Sequence, residues 1–119
     1  MKVYHCIKDF PSNIKTAISI GTFDGIHKGH KYVINHLNSV AKKEFLETTI
    51  LTFSPHPRNV LFPEDQSLRL LTTTDEKINI LESLGIRHLV VFEFTKEFSR
   101  VKSLNFIRDI LVNQLNMKH

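Results

Sequence analysis

The sequence predicts an α/β domain: an open parallel sheet with helices on both faces. Short β-branched and apolar runs, Thr16–Ile20, Thr48–Phe53 and His88–Phe92, alternate with longer stretches of helical period. A turn bearing glycines follows the first run and leads into a helical pattern, which is how a parallel crossover starts. The 119 residues, 41% hydrophobic and 24% charged, have room for one domain with a modest core around a single sheet.

Taken in order, the run Thr16-Ala17-Ile18-Ser19-Ile20 reads as a strand that Gly21 closes. From His30 onward Val33, Ile34, Leu37, Val40 and Ala41 fall on one helical face, with Lys31, Asn35, Asn38 and Lys42 opposite. Thr48-Thr49-Ile50-Leu51-Thr52-Phe53 is a second strand, and a helical crossover makes it parallel to the first. Thr73 followed by Glu76 is a capping-box pattern, Ile78, Leu81 and Leu84 supply a buried stripe, and Gly85 suits the left-handed residue that ends a helix. His88–Phe92 is the third strand. Ser103 then caps a last helix with Phe106, Ile107, Ile110, Leu111 and Leu115 facing inward. That helix should feed another strand, yet Asn116-Met117-Lys118-His119 carries no strand pattern, so residues 1–119 read as the N-terminal part of one truncated domain.

Composition excludes some classes. No apolar stretch approaches the roughly 20 residues of a membrane span, and Met1-Lys2-Val3-Tyr4-His5-Cys6 lacks the apolar core of a secretory signal. A cytoplasmic protein with no membrane partner is expected. The single cysteine, Cys6, has no partner for an internal disulfide and reads as a small apolar residue in or beside a strand. The net charge of +4 favours anionic partners, but the bases are scattered and no basic run is interleaved with aromatics, so no nucleic-acid partner is expected. Oligomeric state is not specified by any of these features.

The chemistry concentrates in Gly21-Thr22-Phe23-Asp24-Gly25-Ile26-His27-Lys28-Gly29-His30. In an open parallel sheet ligands sit outside the carboxyl ends of the strands, where turns lead into helix N-termini. A helix start offers unpaired N–H groups and the positive end of its dipole, which suit a phosphate. Gly29 lets a ligand approach the backbone closely, while Gly21 and Gly25 permit positive φ in the turn. His27 and His30 are three apart and project from one side of the first helical turn. Two imidazoles aimed at phosphoryl oxygens stabilise the charge of a pentacoordinate phosphorus, which points to nucleotidyl transfer by in-line attack with loss of pyrophosphate. A His-x-x-His zinc site is the competing reading, but the motif shows no third ligand. The pattern differs from both the Gly-Lys-Ser/Thr phosphate loop and the Gly-x-Gly-x-x-Gly fingerprint.

The motif resembles the His-x-Gly-His signature of the nucleotidyltransferase superfamily, whose fold is a Rossmann-like parallel sheet. Together with Leu51-Thr52-Phe53-Ser54-Pro55-His56-Pro57-Arg58-Asn59-Val60-Leu61 and Leu71-Thr72-Thr73-Thr74-Asp75-Glu76-Lys77, it resembles the FMN adenylyltransferase (FAD synthetase) module of bacterial bifunctional riboflavin kinase/FMN adenylyltransferases. The resemblance extends from about Ala17 to Val112.

It implies transfer of AMP from ATP to FMN, giving FAD and pyrophosphate, with Mg²⁺ bridging phosphate oxygens. His27 and His30 would be catalytic, contacting the ATP phosphates. Gly21, Thr22, Phe23, Asp24 and Gly29 would shape the ATP-binding turn, with Asp24 structural or on the phosphate or metal side. Pro55, His56, Pro57 and Arg58 would line the flavin site, with Leu61 or Phe62 as an apolar wall. Metal ligands are not identified. The family's later Asp-Phe-x-Phe-Gly-like and Ser-Ser-Thr-x-x-Arg-like segments, and its riboflavin kinase module, have no counterpart here, so weak or absent turnover is expected of the piece alone. A related transferase with another phosphate acceptor, and a non-catalytic nucleotide- or flavin-binding module, are the alternatives.

Overall fold

The computed structural model describes residues 1–21, 28–54 and 74–119. Four strands, β1 (Lys2–Tyr4), β2 (Thr16–Ile20), β3 (Glu47–Ser54) and β4 (His88–Glu93), form one sheet in the order β1-β4-β3-β2, every pair parallel. The helices are α1 (Lys28–Glu44), α2 (Thr74–Ser83), the short α3 (Lys96–Ser99) and α4 (Ser103–Phe106), which runs on as a π-helical segment, Ile107–Val112. The expected α/β class is therefore observed.

Side chains alternate across the strands and divide the core in two. On one face Ala17, Ile50, Leu89 and Val91 pack with Ile34, Leu37 and Ala41 of α1 and Leu81 of α2. On the other, Leu51 and Val90 pack with Phe10, with Leu111 of the C-terminal helix and with Leu115 in the turn beyond it. Helices thus cover both faces, as expected.

Both long helices end in the same motif. At α2 the Gly85 amide donates to Glu82 O at 3.1 Å and the Ile86 amide to Leu81 O at 3.2 Å, with Gly85 at φ +87°. This is a Schellman cap. Asn38 of α1 adds a bond from Nδ2 to Leu84 O at 2.8 Å. At α1 the Leu46 amide donates to Ala41 O at 2.8 Å, but the left-handed residue is Phe45, at φ +57°.

Four details differ from the expectation. The three-residue β1 pairs with β4 through Lys2–His88, Val3–Leu89 and Tyr4–Val90, and is too short to show a period of its own. Cys6 lies just beyond it, beside a strand as expected, and is exposed. Val33 and Ile107, assigned to buried faces, are each 43% exposed. Val33 falls outside the stripe that Ile34, Leu37 and Ala41 already fill, and the wider π turn carries Ile107 out of phase with Leu111. The missing strand also begins within this chain: Met117 forms a parallel bridge to Thr16. The Thr16 amide donates to Asn116 O at 3.1 Å, the Lys118 amide to Thr16 O at 2.9 Å, and the Ile18 amide to His119 O at 2.9 Å. Thr16 Oγ1 adds a buried bond to Leu115 O at 2.7 Å. Backbone pairing needs no side-chain alternation, which is why the composition of Asn116–His119 hid it.

Candidate active site at the carboxyl end of β2

The terminal segment makes β2 an interior strand with different neighbours on its two edges. Toward β3 the connection runs through α1 on one face of the sheet; toward Met117 the connecting helix lies on the other. The chain therefore reverses its winding at β2, and the crevice at such a switch point is where open α/β sheets bind ligands.

Gly21 stands at that crevice. It is half-buried, and its amide donates to Leu51 O at 3.0 Å, continuing the β2–β3 ladder by one residue past the strand. The first turn of α1 follows with Lys28, Gly29 and His30, and His30 is half-buried. The helix is 17 residues long, so its N-terminus turns the positive end of a full dipole toward the crevice. Of the residues named from the sequence, Gly21, Gly29 and His30 are thereby brought to one place. Thr22, Phe23, Asp24 and His27 lie outside the described residues, as do Pro55, His56, Pro57, Arg58, Leu61 and Phe62. Among the described residues no group of three or more His, Cys, Asp or Glu side chains is placed to hold a metal ion.

Beside this crevice the structure shows an apolar cavity of about 510 Å³ that the sequence reading did not assemble. Ile20 from the end of β2, Phe53 from the end of β3, and Phe94 and Phe98 beyond β4 line it, with Phe106 and Leu111 of the C-terminal helix. The rings brace one another. Phe53 and Phe94 meet edge to face at 5.7 Å and 82°, Phe94 and Phe98 at 5.7 Å and 76°, and Phe98 and Phe106 at 5.4 Å and 77°. Such tilted arrangements suit the aromatic quadrupole. Phe98 is held from behind by an N-cap: Thr95 Oγ1 accepts from the Phe98 amide at 3.0 Å. A signal was available in Phe53, at the end of a strand, and in the spacing of Phe94 and Phe98. Only the tertiary fold sets them around one space.

A family model described as FAD synthetase matches residues 9–119. The chain belongs to the FAD synthetase family. Its relatives include the bifunctional riboflavin kinase/FMN adenylyltransferase of Bacillus subtilis, 34% identical across 98% of this chain and 36% of that protein. The protein of the same description from Escherichia coli is 33% identical across 85% of this chain and 32% of its own length. The chain thus spans about a third of the length of these FAD synthetase relatives. Among solved structures, a crystal structure described as a macrolide-efflux protein from Streptococcus pneumoniae superimposes with a TM-score of 0.85 at 26% identity, over 98% of this chain and 38% of the other. Among the described residues of this FAD synthetase family member, no helix is long and apolar enough to cross a membrane.

Proposed function

We propose that this chain carries the substrate-binding part of an FMN adenylyltransferase, within a longer cytoplasmic protein, and that its substrates are ATP and FMN. The observation that carries the reading is the juxtaposition, in a member of the FAD synthetase family, of a helix N-terminus bearing His30 with an aromatic cavity at the switch point. The two halves match the two chemistries of the reaction. Amides and imidazoles suit a polyphosphate, and an apolar cavity walled by phenylalanines suits a flat tricyclic ring.

In this reading a phosphate oxygen of FMN attacks the α-phosphorus of ATP. One P–O bond forms, the bond from the α-phosphorus to the β-bridging oxygen breaks, and pyrophosphate leaves with that electron pair. The FMN phosphate is already ionised near neutral pH, so no protein base is required. Gly21, Thr22, Phe23, Asp24 and Gly29 shape the turn around the triphosphate, and His27 and His30 stabilise charge on the phosphorus as it becomes five-coordinate. The isoalloxazine ring enters between Phe53, Phe94 and Phe98, with Pro55, His56, Pro57, Arg58, Leu61 and Phe62 closing the flavin site from the next segment. A Mg²⁺ ion bound with the polyphosphate would neutralise part of its charge; among the described residues no cluster of three or more His, Cys, Asp or Glu side chains is placed to hold one.

A second reading, binding without turnover, is favoured by one fact: the chain covers about a third of its relatives' length. One experiment addresses both. Titration of the chain with FMN and with ATP should show each binding, and pyrophosphate release should be slow in the chain and fast in a longer parent. If neither ligand binds, the proposal fails; if both bind and a parent releases no pyrophosphate, the binding-only reading replaces it.

A further inference from the structure

A second cavity, of about 430 Å³, opens at the amino end of the sheet. Lys15 precedes β2 and Gly21 follows it, so the two cavities are about 20 Å apart at the rise of a strand. Lys15, Lys43 of the last turn of α1, and Lys118 of the terminal segment converge on this cavity, with His119 beside them and Val40 and Leu46 as an apolar floor. Among the described residues none of the three lysines makes an ion pair. Glu44 is the single carboxylate side chain in the lining, and the main-chain oxygen of His119 is taken up by the Ile18 amide. A cation in the last turn of a helix complements the dipole, which accounts for Lys43. It does not account for Lys15 and Lys118, which come from two other segments to the same place.

An independent observation lies at the rim. Phe45 sits between the lining residues Glu44 and Leu46, in the left-handed region at φ +57°, and is 92% exposed. The same motif at α2 uses Gly85. A phenylalanine there bears backbone strain and recovers almost nothing by burial, and retained strain of this kind clusters at binding sites. What an exposed ring whose two chain neighbours line a lysine-bearing cavity can return is a stacking contact with an anion that carries a flat ring.

We infer that the amino-end cavity is a second ligand site, for a nucleoside di- or triphosphate whose phosphates lie on Lys15, Lys43 and Lys118 and whose base stacks on Phe45. The bounded volume is in the range of small-molecule pockets, which favours a mononucleotide over a polymer threading a groove. The inference is independent of the reaction proposed at the carboxyl end.

The test is a site-resolved titration with ADP, following backbone amide resonances of the whole chain by NMR. Amides of Lys15, Lys43, Phe45, Leu46 and Lys118 should shift as one set, distinct from any set around Gly21 and Lys28–His30. In a Lys15→Gln/Lys118→Gln chain the amino-end set should titrate about tenfold more weakly, a change of about one charged contact, and His30→Ala should leave it unaltered. Phe45→Gly should weaken ADP at this set and leave inorganic pyrophosphate unaffected. The inference is overturned if ADP moves only the Gly21–His30 set, if the double lysine variant binds as before, or if oligo(dT) moves the amino-end set at lower concentration than ADP. Equal ADP affinity in Phe45→Gly removes the stacking contact. Lys15, Phe45 and Lys118 are exposed, so the substitutions at the amino-end cavity keep the fold.

Discussion

At the carboxyl end of the sheet the strands run out into Gly21, the start of α1 and a cavity walled by phenylalanines; at the amino end the same strands begin among closed hydrogen bonds. There His88, 4% exposed, has Nε2 3.0 Å from Glu47 Oε1 and Nδ1 3.4 Å from the Tyr4 hydroxyl, with the Phe10 ring edge-on to the imidazole at 5.3 Å. The helix ends that reach this side are capped by Gly85 and Phe45. Around His88 the polar atoms of the amino end satisfy one another, whereas the carboxyl end turns a dipole and an apolar hollow outward. The difference separates the closed network around His88 and the helix caps from the surfaces proposed for ATP and FMN: a substitution in the first should change stability and leave FMN and ATP binding at the carboxyl end alone.

That division can be broken or sharpened by substitution. The largest effect belongs to His30→Ala in a longer parent, which should slow pyrophosphate release about 10²–10³-fold, as loss of one donor to a developing oxyanion does; thermal unfolding should barely move, and a melting point that collapsed would assign His30 to the core instead. Next comes Gly85→Ala. A β-carbon there meets only Asn38 Nδ2, at 3.5 Å, so the cost is left-handed strain alone, about 1–2 kcal/mol, read as a lower midpoint in urea. ATP affinity should not change, and if it did the two ends would not be independent. Phe98→Ala removes one wall of the aromatic cavity and should weaken FMN by roughly 3- to 10-fold, the worth of an aromatic pair, with ATP affinity kept. Phe45→Gly relieves strain and should raise stability by under about 1 kcal/mol, part of the gain being offset by the entropy of glycine. The smallest effect is alkaline. Desolvation, and secondarily the Glu47 charge, hold the Tyr4 hydroxyl above the ordinary phenol value of 10.0. A folded value raised above the unfolded one gives stability that is complete below pH 10 and lost as the pH climbs past it, so Tyr4→Phe should flatten the alkaline limb of the stability curve.

Much of this was legible in the residues themselves. Ile34, Leu37 and Ala41 declared the buried stripe of α1, Thr16–Ile20 matched β2 to the residue, and Gly85 stood where the α2 cap needed it. Local rules sufficed because those features are local. What escaped depended on distant partners. Lys2–Tyr4 becomes a strand only because β4 offers an edge, and Asn116–His119 only because β2 does. Phe45 went unnoticed because no propensity places a phenylalanine in a left-handed cap. For the site, Gly21, Gly29 and His30 are local to the end of β2 and the start of α1, while the aromatic cavity required Phe53 and Phe98, 45 positions apart, to meet at 5.9 Å.

The bond from Thr16 to Leu115 joins residues 99 apart in the chain. During translation β2 finds β3 once residue 51 has emerged, but its opposite edge waits for residues 115–119, roughly 3–14 s later at 5–20 residues per second. Throughout that interval a nascent polypeptide presents bare backbone donors and acceptors beside the glycine turn, an invitation to neighbouring chains on the same polysome. The strand that anchors the crevice is thus the one whose completion comes last, and a chaperone that shields this edge on the ribosome would protect the whole fold.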